Sequence, residues 1–206
     1  MHDLAMEPVG GGEVATAPPA IQIPDFQIVP LWGLPVVAVI FIGLIAGIAS
    51  NTLWPLTFLH VAFGAAWTIV DLFLGFVIGP MMRRLSVPAR IELTVRLMPK
   101  MVLIMPTVVT VTLAAGWQLG HLMGTINNGY PLHGWIVASY IVVGVMAVVA
   151  LGLLEPANIA VLTELKKPRP RPAVIEKLMQ RFIYAAAITG AMQVAILVIM
   201  TKVASG

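Results

Sequence analysis

The 206-residue chain contains no cysteine. Disulfides, thiolate metal sites and iron–sulfur clusters held by its own thiolates are therefore excluded. Charge is nearly as scarce: Asp, Glu, Lys and Arg make up 10% of the residues, whereas a soluble domain carries about 25%. That is too little to cover a water-facing surface. The first 30 residues hold no Lys or Arg and no early apolar stretch, so they do not read as a secretory signal peptide. No nucleophile–base pair, phosphate loop or pair of catalytic carboxylates can be picked out. Catalysis by this chain alone is not expected, although a place in an oxidoreductase complex stays open, and no nucleic-acid partner is expected.

What the chain has in abundance is apolar sequence, 59% of its residues. A hydrocarbon layer of about 30 Å needs roughly 20 apolar residues per helix. Five runs meet that need, at about 31–49, 56–81, 101–123, 135–154 and 182–203. The expected fold class is all-α, a polytopic transmembrane bundle of about five helices formed by residues 31–206 as a single domain. Residues 1–30, with Gly10–Gly12 and Pro18-Pro19, read as an irregular arm. Ser86 is expected to cap a short amphipathic helix at 88–97, and Pro106 to kink the third run. A polar helical extension towards Leu165 follows the fourth. The prolines of Lys166–Pro172 (KKPRPRP) imply an exposed, extended linker. No internal repeat stands out.

The basic residues orient this bundle. Arg83, Arg84, Arg90, Arg96 and Lys100 fall in one connection, and those of 166–181 in another two helices later. Both connections therefore lie on one side, and cytoplasmic loops carry such an excess. The N-terminus is expected inside, the C-terminus outside, and the turns at 50–55 and 125–133 outside. The membrane is expected to be a bacterial or archaeal plasma membrane.

With that orientation, three of the four histidines gather near the outer face. His60 and His121 lie near the outer ends of the second and third runs, at depths differing by about 3 Å. His133 lies in the outer loop, and His2 in the arm. His60, Gly64, Trp67 and Asp71 share one helical face, while Trp117 and His121 share another beside Gly116, Gly120 and Gly124. Two histidines at matched depth on adjacent antiparallel helices are what a bis-histidine b-type haem requires. Small residues such as Gly64 and Gly120 would admit a flat macrocycle, and Trp67 and Trp117 would flank it. The bland reading is of interfacial polar end-groups, with Trp32, Trp54, Trp117 and Trp135 forming aromatic belts. His60, His121 and His133 with Met123 and Met200 also leave a copper site open.

Three further polar residues lie in or beside the apolar runs. Asp71 is costly in hydrocarbon unless neutralised or paired. It reads as a proton relay or cation partner, or as a packing acid bonded to Tyr184 or Thr110. Glu155 falls at the inner boundary before Pro156, where a structural role is the simpler reading. Gln193, midway along the fifth run, can join helices by hydrogen bonding.

Leu59-His60, Trp67 seven residues on, and Gly75 with Gly79-Pro80 resemble the first core helix of the CopD/HemJ-like membrane superfamily. The basic connection 83–100 and a third helix ending in histidine extend the resemblance over about residues 56–124. It implies a core of about four helices binding haem or copper through histidine, with His60 on the motif and His121 at a matching position. The lysine that HemJ-type enzymes use on a later core helix has no counterpart in 101–123 or 135–154. Protoporphyrinogen oxidation is therefore not implied.

The function expected is that of a haem b-binding electron-transfer subunit, with His60 and His121 as axial ligands near the outer face. Its partners would be membrane lipid and other membrane or outer-side redox subunits, and a homo-oligomer stays open. The alternatives are a copper-handling protein of the CopD type and a cofactor-free structural subunit of a membrane complex.

Overall fold

The computed structural model describes residues 23–205. His2 and the greater part of the expected arm lie outside them. The described residues form helices and no strand. Five helices are long and apolar enough to cross a membrane: α1 Leu31–Ser50, α2 Leu53–Arg84, α3 Val87–Leu122, α4 His133–Leu165 and α5 Pro172–Ser205.

Contacts fix how they run. Gly33 at the start of α1 lies against Leu103, and Asn51 just past its end accepts a 2.9 Å hydrogen bond from Gln118. So α1 and α3 are parallel. In α2, Asp71, Gly75 and Gly79 meet Gly190, Ala187 and Ile183 in turn, so α2 and α5 are antiparallel. The chain thus weaves up and down, and two ends can be named by their chemistry. The basic end collects every Lys and Arg except Lys202; the histidine end carries His60, His121 and His133. Half of α3's apolar stretch is buried, against 11% for α1. Accordingly α3 is the central helix, and α1 leaves Val36, Val39, Ile42 and Ile45 exposed on an apolar flank.

The helices outrun the apolar runs. At 36 residues α3 is about 54 Å long, well beyond the hydrocarbon thickness. The separate amphipathic helix expected at 88–97 is instead the first part of α3, which continues through Pro99 and Pro106 without a break. The Ser86 side chain makes no capping bond; its carbonyl accepts from the Arg90 N–H at 2.9 Å. Arg90 does the fastening, donating to the carbonyls of Leu85 (2.9 Å) and Arg83 (3.0 Å) at the end of α2. The basic linker is shorter than expected. Helix α5 begins at Pro172, where a first-turn proline has no N–H to lose, and Lys167 and Arg171 converge on Glu164 to close the turn.

Two helices are locally underwound. Over Phe73–Ile78 in α2 and Ala150–Leu154 in α4, the backbone ladder widens to i→i+5 bonding. Each widened segment is followed two residues later by a proline, Pro80 and Pro156. A proline ring clashes with the carbonyl four residues back, here Phe76 and Gly152, both inside the widened turns. Widening opens the room that the ring needs.

Candidate functional site

His60 is half-buried on the α2–α3 contact. Its Nδ1 lies 2.9 Å from the Thr112 carbonyl oxygen. A carbonyl can only accept, so Nδ1 carries a proton, and in the neutral imidazole Nε2 then keeps its lone pair. The ring rests on Gly116, where a Cβ would fall 2.5 Å from Nδ1, and one turn on Gly64 meets the Thr112 methyl group. Any larger residue at 116 would push the imidazole off its carbonyl.

His121 occupies a different part of α3. Five residues beyond Gly116, it is turned about 140° around the helix axis, away from the face on which His60 rests. It is exposed and packs edge-on against Trp117, ring centroids 4.9 Å apart, and Trp117 in turn meets Tyr140 of α4 at 5.8 Å. The two histidines differ in azimuth and also in level, since five residues of helix, about 7.5 Å, separate Gly116 from His121, and they do not face each other across a common space. His133 opens α4 with its Nδ1 buried and, among the described residues, without a hydrogen-bond partner. Among the described residues no three His, Asp or Glu side chains come together to hold a metal ion, and Met123 is exposed.

The glycine ladder divides its labour. Gly116 seats His60, Gly120 receives the Tyr140 hydroxyl, and Gly124 takes φ +66° to end α3. Trp67, expected beside His60, is instead a core residue, 2% exposed within the main apolar cluster.

Deeper along α2 lies a second polar group of residues, on the seam with α5. Gly75 and Gly79 bring the backbones close: a Cβ at Gly75 would lie 2.8 Å from the Ala187 Cα. Facing them, Ala186 and Gly190 repeat the small-xxx-small spacing that lets membrane helices approach. Asp71 is wholly buried in this seam. Trp67, Thr189 and Gln193 face its carboxyl, not Tyr184 or Thr110 as the sequence suggested. Tyr184 serves the basic end, its hydroxyl 3.2 Å from the Arg83 guanidinium and its ring beneath it. The Thr68 hydroxyl sits 2.9 Å from both the Gly64 carbonyl and Gln193 Oε1, which turns the Gln193 amide nitrogen away from Thr68. Among the described residues, neither Asp71 oxygen, nor Trp67 Nε1, nor Gln193 Nε2 has a hydrogen-bond partner of good geometry.

Glu155 belongs to another group, on the α3–α4 contact. It faces Asn158, which donates to the Met98 carbonyl at 3.3 Å, while Glu155 Oε1 and Asn158 Oδ1 remain buried and unpaired. Thr68, Thr112, Thr189, Asn158 and Tyr140 are the polar participants that sequence reading passed over. A Thr in a membrane helix ordinarily bonds its own backbone, as Thr107 and Thr112 do here. Nothing in sequence distinguishes Thr68 from these except its place four residues beyond Gly64 on the Asp71 side.

Comparison with models of known protein families, with curated proteins and with solved structures returns no match.

Proposed function

We propose that this chain is a b-type haem-binding subunit of a membrane redox complex, with His60 as the axial ligand that it supplies. The state of His60 carries the reading. A histidine whose Nδ1–H is tied to a backbone carbonyl presents its Nε2 lone pair in a fixed direction, the arrangement that metal-ligating histidines use. The resemblance of Leu59-His60 and Trp67 to the CopD/HemJ-like superfamily adds to it. His121 does not fit as the opposite ligand within one chain, because it points to another sector of α3. The second ligand then comes from a partner or is absent. Bound haem would supply one-electron chemistry, and this chain's residues would orient the imidazole, through Thr112 and Gly116, and shield it from water. The copper alternative has less support, since no cluster of three ligands forms among the described residues.

In the same reading the basic end faces the cytoplasm of a bacterial or archaeal cell, with the N-terminus inside and the C-terminus outside. The partners are lipid along the apolar flank and another redox subunit at the histidine end.

The test is a pyridine-haemochrome assay with metal analysis on one purified sample, on the native chain, His60→Ala and His121→Ala. Haem is expected in the native chain, lost in His60→Ala and retained in His121→Ala. No haem band in the native chain, or full haem in His60→Ala, overturns the proposal.

A further inference from the structure

Asp71 takes no part in holding haem, since about 16 Å of helix separates it from His60. Its surroundings are nevertheless built for a carboxyl that changes state. It is 0% exposed, and both oxygens lack a hydrogen-bond partner of good geometry. Two N–H donors that face it, Trp67 Nε1 and Gln193 Nε2, are equally buried and equally unpaired. The Thr68 hydroxyl beside Gln193 Oε1 leaves Nε2 as the amide end free for the acid. Thr189 spends its hydroxyl hydrogen on the carbonyls of Ala185 and Ala186, both 3.1 Å away, so its lone pairs are free to accept.

A permanently ionised carboxyl in hydrocarbon is ordinarily paired with a cation, and among the described residues no salt bridge reaches Asp71. Thr189 and Gln193 face it from α5, and α3 and α4 bring Met105, Val109 and Met146 to the same core. The other intramembrane acid, Glu155, faces Asn158 instead. A neutral carboxyl needs one acceptor for its O–H and can take a donor on its carbonyl oxygen; two unpaired donors, Trp67 Nε1 and Gln193 Nε2, are more than that state requires. The site can serve both states: Thr189 Oγ1 accepts from the neutral acid, and Trp67 and Gln193 donate to the carboxylate.

We infer that Asp71 is a proton-exchange site in the α2–α5 seam. Its O–H bond breaks to release a proton to water, the electron pair stays on the carboxylate, and the same proton position refills from water. The widened turn Phe73–Ile78 begins two residues on, and such turns occur frequently at functional sites. The inference does not depend on haem.

Infrared spectroscopy of the protein in nanodiscs tests it, on a Glu155→Gln background so that one intramembrane acid is left. The C=O stretch of a protonated carboxyl, absent in Asp71→Asn, is expected to fade reversibly as pH rises between about 5 and 9. Gln193→Leu removes a donor to the carboxylate, so the midpoint is expected to move up by about one pH unit. A band constant across that range, or no Asp71 band at any pH, overturns the inference. Should Asp71→Asn fail to fold, the Gln193→Leu midpoint decides: unmoved, it overturns the inference.

Discussion

At the scale of single residues, the hydrogen-bonded state of a side chain matters more than its type. His60 is poised by one bond and one glycine. Gly116→Ala would place a methyl group 2.5 Å from Nδ1, and since the imidazole is the movable partner, it yields first. Stability is expected to fall by only about 1 kcal/mol, the worth of one hydrogen bond. The tautomer is expected to change far more. Nitrogen-15 NMR of labelled histidine should find His60 protonated at Nδ1 alone in the native chain, and a mixture of tautomers in Gly116→Ala. A single unchanged tautomer in both would mean that the Thr112 carbonyl is not what fixes the ring. That His60 and His121 lie toward the same end of the bundle was legible from the apolar runs, but not that His60 sits at the level of Thr112 and Gly116. Their azimuth was not, because helical spacing orders residues around one axis but does not say which face meets which neighbour.

At the scale of helices, two small-residue faces set the α2–α5 seam. Gly75→Ala pushes a methyl group to 2.8 Å from the Ala187 Cα, which is backbone and cannot swing aside. The expected cost is about 1–3 kcal/mol. Gly43→Ala and Gly144→Ala, with nothing within 4 Å of the added carbon, should be neutral or slightly stabilising, since Gly costs about 0.5–1 kcal/mol within a helix. Denaturation in mixed micelles, followed by tryptophan fluorescence, separates the two classes; equal stability of all three variants would sink the close-packed seam. The existence of five helices could be read directly, because each needs a run of lipid-compatible residues. Their ends could not. Hydropathy reports only the part of a helix inside hydrocarbon, whereas α3 begins at Val87 and α5 at Pro172 in polar sequence. There, pairs such as Arg96 with Glu92 (2.8 Å) and Arg90 with Glu176 (3.9 Å) line the helix ends. The widened turns in α2 and α4 had a visible cue in Pro80 and Pro156. Proline, however, can kink a helix, break it or stay within it, as Pro99 and Pro106 stay within the continuous α3.

At the scale of the whole molecule, the up-and-down weave leaves one question to charge alone: which end faces the cytoplasm. Every Lys and Arg but Lys202 lies at one end, and at that end Lys167 and Arg171 gather on Glu164 while Arg90 reaches Glu176. Arg84, Lys100, Arg169, Lys177 and Arg181 are among the residues outside those pairs and can interact with anionic lipid headgroups, each worth about 1 kcal/mol near a charged surface. The absence of native cysteine makes the orientation directly measurable, because one introduced thiol is the only thiol. In intact cells, Asn128→Cys in the turn between α3 and α4 should react with a membrane-impermeant maleimide. Arg169→Cys, in the turn between α4 and α5, should react only after the membrane is opened. Both positions lie in turns rather than helix contacts, so neither substitution removes packing. The reverse pattern would invert the bundle and put the histidine end in the cytoplasm. The redox partner proposed for that end would then have to be a cytoplasmic one.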